Sequence, residues 1–482
     1  MFDFRPVGYV IGLLVAMLGA TMVFPMFVDI VDGNGHWGAF FISAVITSLT
    51  GGLVALSCHN RRGEGLSLQQ TFLLTTSVWL ALPVFGALPF VLGATEARAV
   101  DAVFEAMSGL TTTGSTVFSG LDDMPRGMLL WRGLLQWLGG IGIIVVAMVF
   151  LPELRVGGMQ IFRSEGFDTF GKILPRATEI SSRISVIYVS LTVACALAYV
   201  ITGMAAFDAV VHAMTTIATG GFANYDASFG AFSVGTEYVA VIFMMLAALP
   251  FVRFVQLTAG TARPLLQDSQ IRVFLMTIAV IVIMLTFWQV LSRGLGSEAG
   301  FRKVLFNTTS IVTGTGYASA DYMQWGGFPV SVLFFAGLIG GCAGSTACSI
   351  KIFRYQLLFA AIKSQIRKLQ HPSGVFAPTY QGRKIDDDVL SSVMSFFVFF
   401  TVTLGALSVL LGLTGLDFTT ALSGAAAALA NIGPGLGDII GPAGNFSTLN
   451  DSAKWILVIG MLIGRLELLA VYVLFTVQFW RA

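Results

Sequence analysis

Charged residues are scarce in this sequence. Asp, Glu, Lys and Arg make up only 11% of its 482 residues, whereas a soluble domain carries about a quarter. The 27 basic residues nearly balance the 26 acidic ones, which excludes a nucleic-acid-binding protein that relies on bulk positive charge. Hydrophobic residues reach 56%, and disorder is excluded because it requires low hydrophobicity with high net charge. The composition indicates an integral membrane protein with many spans.

Cysteine and histidine are also rare. The four cysteines form no CxxC pair and no zinc-binding spacing, so we expect reduced residues that pack in the interior. The four histidines are scattered along the chain, which argues against a histidine-based metal site. The first apolar run, residues 7–28, is longer than the apolar region of a signal peptide, so it is predicted to be a retained span.

Apolar runs that approach the length needed to cross a bilayer, about 20 residues, occur ten times. They lie near residues 7–28, 38–56, 71–92, 128–151, 184–202, 234–254, 273–291, 328–353, 389–411 and 455–479. With the N-terminus placed inside, most basic residues fall in inner segments, a minority that includes Arg132 in outer segments, and Arg465 within a span. This asymmetry predicts a cytoplasmic N-terminus.

Four shorter apolar segments lie on the outer side between paired spans. They begin near residues 101, 208, 303 and 419, and aligning them superposes Gly114, Gly221, Gly316 and Gly433. Each predicts a half-length helix followed by a Gly/Thr-rich return, which is the pattern of a re-entrant loop. We therefore expect an all-α polytopic membrane protein in which two N-terminal transmembrane helices precede four pseudo-symmetric helix–pore-helix–helix repeats around a central ion pore. The predicted units are residues 1–60, 61–155, 156–262, 263–370 and 371–482.

The half-helices are predicted to favour a cation in the middle of the membrane. Asp101, Asp208 and Asp417 lie where three of them should start, and Asp is a good N-cap whose charge complements the helix dipole. The carboxyl ends then point inward with partial negative charge. The third repeat lacks this Asp, and Glu298 lies further upstream, so its dipole contribution is expected to be weaker.

The returning segments are predicted to form an ion filter. Glycine permits the turn and allows four chains to approach one axis. Their carbonyl groups can then form oxygen rings that replace the water shell of a monovalent cation. The candidate filter residues are Thr112, Thr113, Gly114, Thr219, Gly220, Gly221, Gly314, Thr315, Gly316, Asn431, Ile432 and Gly433.

The loop sequences T-T-T-G-S, A-T-G-G-F, T-G-T-G-Y and N-I-G-P-G, together with G-G-C-A-G-S-T-A-C-S-I-K and G-R-L-E-L, resemble the Trk/Ktr/HKT superfamily of potassium transporters. The two extra N-terminal spans resemble its TrkH-type bacterial branch. This resemblance implies a potassium-translocating subunit of the bacterial cytoplasmic membrane, with K⁺ as the transported ion and no organic cofactor. It also implies a homodimer surrounded by lipid and controlled by a cytosolic ring of nucleotide-binding regulatory subunits. Relatives that admit sodium often carry serine at the position of Gly114, so potassium is expected here.

The eighth predicted span, residues 328–353, contains a glycine-rich stretch at 337–349. Glycine weakens a helix, and the run is long enough to break into helix, loop and helix. One interpretation is a flexible loop that obstructs the pore beneath the filter, and the family resemblance implies such an intramembrane gate. The other is close helix packing through small residues. The candidate gating residues are Gly340, Gly341, Gly344, Ser345, Lys351 and Arg465.

Arg465 is the clearest charge within a predicted span, near its middle, and such a charge must be solvated or paired. Glu467 is two residues away and is not an obvious partner. We expect Arg465 to face the pore, to bond loop carbonyls near residues 340–345 and to repel cations when the gate is shut. The alternative is a static arginine that caps backbone carbonyls. Lys351, Arg354 and the basic residues at 363–368 are either ordinary inner charge or the segment that a regulator pulls.

Three classes of function remain to be compared. A potassium-selective, channel-like transporter fits best. A symporter that couples potassium to protons or sodium is disfavoured, because Asp and Glu are nearly absent from the predicted spans apart from Glu467. A membrane enzyme would need clustered acid–base or metal-binding residues, and none is evident. Residues 166–172 have a phosphate-loop spacing without its Ser or Thr, so nucleotide binding is assigned to a partner.

Overall fold

The computed structural model describes residues 3–59, 66–145, 177–294 and 297–481. In this part of the chain the regular structure is helical except for one antiparallel pair of strands, Thr379–Tyr380 with Arg383–Lys384. The predicted all-α polytopic class is confirmed. The predicted end of the fourth span near residue 151, the unit boundary at 155–156 and the phosphate-loop spacing at 166–172 lie outside the described residues.

Helices that are long and apolar enough to cross a membrane supply seven spans among the described residues. They are Arg5–Asp32, Trp37–Ser57, Leu68–Leu92, Arg126–Val145, Ser181–Ile201, Ser269–Ser292 and Asp387–Leu413. The first is made of Arg5–Thr21 and Val23–Asp32, and the third of Leu68–Gly86 and Leu88–Leu92. The fifth belongs to a helix that begins earlier, Ala177–Ile201, and Ser269–Arg293 extends the sixth by one residue.

Two other predicted spans are bent rather than straight. Val234–Ala247 meets Phe251–Thr258 at 90°, and Asp451–Arg465 meets Leu469–Phe475 at 105°. Pro250 begins the second half of the first pair, and proline lacks the N–H that would continue a helix. In the other pair the left-handed residues Glu467 and Leu468, with φ of +61° and +50°, turn the chain. The spans predicted near residues 234–254 and 455–479 are therefore each made of two helices that meet at a sharp bend.

The eighth predicted span is not a single helix. It consists of Gly327–Gly337, a non-helical stretch at residues 338–351, and Ile352–Gln370. We call residues 338–351 the gate loop. The remaining short helices connect these elements or close the chain. They are Leu121–Asp123, Ser228–Ala231, Arg263–Gln267, Tyr322–Trp325, Gly437–Ile440, Leu469–Tyr472, Val473–Phe475 and Val477–Arg481.

The four half-length helices, numbered pore helices 1 to 4, are Ala99–Leu110, Ala206–Ile217, Glu298–Val312 and Phe418–Ala430. All four begin beside an acidic residue, but not always as predicted. Asp417 is an N-cap that accepts a hydrogen bond from Thr420 N at 3.1 Å, and bonds from Thr420 hold the pKa of Asp417 below its usual value. Asp101 and Asp208 lie inside the first turn instead.

Pore helix 3 corrects the expectation of a weaker dipole in the third repeat. The helix begins at Glu298, several residues earlier than the aligned segment suggested, and Glu298 lies in its first turn. Ser297 is the N-cap and accepts a bond from Gly300 N at 3.3 Å. An acidic side chain therefore complements the dipole at the outer end of each pore helix.

The two N-terminal spans pack through small residues. A Cβ atom placed on Gly51 would lie 2.6 Å from the Gly12 carbonyl oxygen and 2.9 Å from Ala16 Cα. The neighbouring Gly52 has no atom of the described chain within 4 Å of such a Cβ. Close approach of helix backbones at glycine is a common mode of packing in membranes.

Gly51→Leu is expected to destabilise this helix pair by about 1–3 kcal/mol, the usual effect of overpacking. Gly52→Leu is the matched control and is expected to be neutral, because its side chain points into open space. Thermal unfolding of both variants in detergent, followed by size-exclusion chromatography, makes the comparison. Equal midpoints for the two leucine variants would contradict the packing described here.

Candidate ion filter and gate

Each pore helix is followed by three residues with the same backbone conformation, which we call filter loops 1 to 4: residues 112–114, 219–221, 314–316 and 431–433. The first residue is left-handed in every loop, with φ of +52° at Thr112, +49° at Thr219, +72° at Gly314 and +51° at Asn431. The third is left-handed as well, with φ of +86° at Gly114, +82° at Gly221, +83° at Gly316 and +101° at Gly433. The middle residues are not. Thus four different sequences follow one path.

The repeated backbone path has a conformational energy cost. Three of the left-handed positions hold Thr or Asn rather than Gly, and a left-handed conformation costs such residues about 1–2 kcal/mol. Backbone strain of this kind is concentrated where function requires a particular geometry.

The four filter loops form a closed ring in chain order. The glycine of each loop lies against the carbonyl oxygen of the middle residue of the next loop, as follows: Gly114 against Gly220, Gly221 against Thr315, Gly316 against Ile432, and Gly433 against Thr113. A Cβ atom on Gly433 would lie 2.9 Å from the Thr113 carbonyl oxygen. On each of the other three glycines, a Cβ atom would overlap the carbonyl oxygen of the next loop. The structure thus brings the predicted filter residues around one axis.

Side chains join neighbouring loops as well. Asn431 Nδ2 donates to Thr113 Oγ1 at 2.8 Å, and Ser115 Oγ donates to the Gly433 carbonyl at 2.7 Å. Gln136 Nε2 donates to the Gly220 carbonyl at 2.6 Å, while its Oε1 accepts from Phe222 N. These bonds tie neighbouring loops to one another and to Gln136.

A vestibule of about 210 Å³ opens on the outer side of the ring. Gly114, Gly221, Gly316 and Gly433 all line it, so each loop reaches its floor. On the opposite side a small cavity of about 30 Å³ is lined by Asn431, Arg465 and part of the gate loop. The ring therefore lies between the outer vestibule and this small cavity.

The gate loop is bonded to the bend at Pro250. Cys342 N donates to the Ala248 carbonyl at 3.0 Å, Thr346 Oγ1 donates to the Ala247 carbonyl at 3.0 Å, and Phe251 N donates to the Gly344 carbonyl at 3.0 Å. The bend exposes backbone groups that a straight helix would use internally. This unpredicted kink therefore supplies the partners for a non-helical loop within the membrane.

The far end of the gate loop lies against the inner side of the filter. Cys348 Sγ is 3.6 Å from Thr112 Oγ1, and a Cβ placed on Gly314 would be 3.2 Å from Cys348 Cβ. Ser349 N donates to the carbonyl of Ala430, the last residue of pore helix 4, at 3.0 Å. The loop thus contacts the inner ends of three repeats.

The predicted gating residues all lie in or beside this loop. Gly340 N donates to the Ile350 carbonyl at 2.9 Å, and Gly341 accepts from Ile352 N at 3.1 Å. Ser345 Oγ donates to the Cys342 carbonyl at 2.6 Å. Lys351 Nζ donates to the Ala347 carbonyl. These bonds hold the loop in a compact form between the two halves of its broken span.

Arg465 lies below the filter with 4% of its surface exposed. Its Nη1 donates to Cys348 Sγ at 2.8 Å and its Nη2 to the Gly139 carbonyl at 3.4 Å. The expected bonds to carbonyls at residues 340–345 are not found among the described contacts, because the arginine meets the loop further along, at Cys348. It is the last residue of the first helix of its bent pair, and so lies near the middle of residues 451–475.

Several buried ion pairs among the described residues were not predicted from the sequence, and two of them bear on the predictions above. Arg354 pairs with Glu467, so Glu467 is indeed not the partner of Arg465. Arg132 Nε lies 2.9 Å from Glu105 Oε1, and both residues are almost completely buried. Assigning Arg132 to an outer segment was therefore wrong, because it lies inside the helix Arg126–Val145. Glu105 lies in pore helix 1, outside the predicted spans from which acidic residues are nearly absent. The signal was present, since Glu105 lies within the first half-helix segment.

Known proteins of similar sequence identify the family of this chain. The family model described as "TrkH: Cation transport protein" matches residues 36–481. The chain belongs to the TrkH family. It is 44% identical over 478 residues to the Trk system potassium uptake protein TrkI of Halomonas elongata, covering 99% of this chain and 97% of that protein. It is 36% identical to the Trk system potassium uptake protein TrkH of Vibrio parahaemolyticus, with both chains fully covered.

A solved structure matches the whole of this TrkH-family chain. The crystal structure of the potassium transporter TrkH from Vibrio parahaemolyticus superposes with a TM-score of 0.91 at 33% identity, and each chain is covered completely. The resemblance to the TrkH-type branch inferred from the loop sequences is thereby confirmed.

Proposed function

We propose that this TrkH-family chain carries potassium ions into a bacterial cell across the cytoplasmic membrane. The closed ring of four filter loops is the observation that carries the proposal. Backbone carbonyl oxygens arranged around an axis replace the hydration shell of K⁺, and the inward-pointing pore helices add partial negative charge. The names of the relatives support potassium as the ion. The distribution of basic residues supports a cytoplasmic N-terminus.

The proposed gate consists of the gate loop, with Gly340, Gly341, Gly344 and Ser345, together with Lys351 and Arg465. In the closed conformation the loop lies beneath the filter, and the buried charge of Arg465 opposes the passage of cations. The helix Ile352–Gln370 follows the loop directly and has basic residues in its last turn. A force on this helix therefore reaches the loop without an intermediate element.

We also propose the assembly that the sequence resemblance implied: a homodimer in lipid, with one pore in each chain, and a cytosolic ring of nucleotide-binding regulatory subunits that acts on the helix Ile352–Gln370. Potassium is the cargo rather than a resident cofactor. Coupled symport is less well supported. Among the described residues, the carboxylates of Glu105 and Glu467 inside the membrane region are each paired with an arginine, so neither is a free proton carrier.

Flux into liposomes tests the proposal. Purified protein is reconstituted with and without a regulatory subunit, and uptake of potassium, rubidium, sodium and lithium is compared. We expect potassium and rubidium to enter faster than sodium and lithium, and a protonophore at fixed voltage to have no effect. Equal rates for all four ions would contradict a selective filter, and inhibition by the protonophore would favour a symporter.

Gly114→Ser is expected to lower the ratio of potassium to sodium uptake by about tenfold, equivalent to about 1.4 kcal/mol of discrimination. The serine Cβ would overlap the Gly220 carbonyl, which must then move out of the ring. Gly120→Ser is the matched control, because Gly120 is also left-handed, with φ of +70°, but has no atom of the described chain near its Cβ position. An unaltered ion ratio in Gly114→Ser would show that this glycine does not shape the filter.

A further inference from the structure

A second layer of polar side chains lies behind the filter and repeats four times. In each repeat one buried side chain of the pore helix accepts a hydrogen bond from the backbone N–H three residues after the filter glycine. The pairs are Glu105 Oε2 with Val117 N at 3.0 Å, His212 Nε2 with Asn224 N at 3.3 Å, Asn307 Oδ1 with Ser319 N at 3.2 Å, and Ser423 Oγ with Leu436 N at 2.8 Å. We call these four side chains the braces.

The equivalence of the braces is set by position rather than by residue type. Glu105, His212 and Asn307 each lie nine residues before the glycine of their filter loop, and Ser423 lies ten before its own. All four are buried. A buried N–H left without an acceptor is costly, so each returning chain needs a partner at this point. Four chemically different side chains meet the same need.

Three braces are also anchored to their own pore helix in the same way. His212 Nδ1 lies 2.8 Å from the Asp208 carbonyl, Asn307 Nδ2 donates to the Lys303 carbonyl at 2.8 Å, and Ser423 Oγ donates to the Thr419 carbonyl at 2.7 Å. In every case the acceptor is four residues earlier. For His212 this arrangement selects the tautomer with the proton on Nδ1, since Nε2 must accept from Asn224 N.

The first brace is built differently because a carboxylate has no proton to donate. Glu105 instead accepts from Arg132 Nε at 2.9 Å. Arg132 Nη1 donates to the Ala223 carbonyl at 2.8 Å, and its guanidinium stacks over Phe222 at 4.3 Å from the ring centre. Both of those residues follow filter loop 2. The buried pair therefore ties the returning chains of two repeats together, with charge-assisted bonds that are stronger than neutral ones.

We propose that the braces Glu105, His212, Asn307 and Ser423, with Arg132, are positioning residues that set the ion selectivity of the filter. None of the four braces lines the outer vestibule, although Arg132 reaches its wall. Each holds the point at which a filter loop leaves the ring, so it fixes where that loop's carbonyl groups lie. This proposal rests on the proposed potassium uptake and assigns the source of its selectivity to the layer behind the filter.

Ser423→Ala is the primary test, because it removes one acceptor and leaves no buried charge. We expect the ratio of potassium to sodium uptake in liposomes to fall by about threefold to tenfold, the factor that one hydrogen bond contributes to an equilibrium. Ser108→Ala is the matched control. Ser108 is an equally buried serine of pore helix 1, and its hydroxyl has no hydrogen-bond partner among the described residues. Its ratio is expected to be unchanged.

Asn307→Ala, with Thr308→Val as its control, tests a second brace in the same way. Thr308 is the next residue of pore helix 3, and its buried hydroxyl is also unpartnered within the described chain. Size-exclusion profiles and thermal midpoints establish that each variant is folded. A change in melting temperature alone, with wild-type ion ratios in both brace variants, would overturn the proposal.

The outcomes separate the two levels of inference. Selective potassium uptake by the wild-type protein with unaltered ratios in folded Ser423→Ala and Asn307→Ala overturns the positioning role and leaves the proposed function intact. Equal losses in brace and control variants also overturn it, since the effect would then not depend on the bond. Absence of potassium uptake by the wild-type protein overturns the proposed function itself.

Discussion

Gly221→Ala is expected to abolish potassium uptake, leaving flux into liposomes at the background of protein-free vesicles. The added Cβ would overlap the carbonyl oxygen of Thr315 and lie 3.0 Å from its carbonyl carbon. That oxygen belongs to the ring, so it must move or the loops must separate. The left-handed φ of +82° adds a penalty of about 1–2 kcal/mol for alanine.

The control for this substitution separates contact from backbone strain. Gly203 precedes the pore helix of the same repeat and has a φ of +95°, yet a Cβ placed there meets no atom of the described chain within 4 Å. Gly203→Ala therefore carries a similar conformational penalty without the collision, and we expect near-normal uptake. Loss of uptake in both variants would attribute the effect to strain alone, and normal uptake by Gly221→Ala would contradict the closed ring.

Arg465→Ala is expected to raise potassium flux in the absence of the regulatory subunit by about tenfold or more, because bonds from a charged group each contribute about 1.5–3 kcal/mol. The change removes the bonds to Cys348 and Gly139 that hold the gate loop against the filter. It also removes a buried positive charge from the proposed path of the ion. Rubidium uptake into liposomes without the regulator measures this basal flux.

Cys348→Ala distinguishes the two contributions of Arg465. It removes the contact with the gate loop but leaves the positive charge, so we expect a smaller rise in basal flux than in Arg465→Ala. If Arg465 is instead a static cap of backbone carbonyls, Arg465→Ala reduces the amount of folded protein, and neither variant raises flux. Unchanged basal flux at normal expression would count against a gating role.

The parts of this molecule that the sequence predicts well are those with a local signal. Apolar runs locate most spans because each must cover the bilayer core within one helix. The filter loops were found from glycines at Gly114, Gly221, Gly316 and Gly433, since a left-handed residue beside a neighbouring carbonyl leaves little choice of side chain. Such local signals can be read from the sequence without knowing which distant residues a segment contacts.

The features that escaped prediction depend on partners distant in the sequence. Arg354 and Glu467 are paired although more than a hundred residues separate them, and the contact of Arg465 with Cys348 likewise joins two repeats. The proline itself is a local signal for the bend at Pro250. No local signal shows that the backbone groups freed by the bend bond the gate loop. The braces share only a position relative to a glycine, so residue similarity cannot reveal them.

The differences among the four filter loops have a consequence for how the passage can be altered. In a pore assembled from identical subunits, any substitution appears on every wall at once, so small adjustments are inaccessible. Here threonine, glycine and asparagine occupy equivalent places within a single polypeptide. Each mutation modifies one quarter of the circumference, so the preference of the conduit among alkali ions can be tuned stepwise, and the ion's resting position need not lie on the geometric centre.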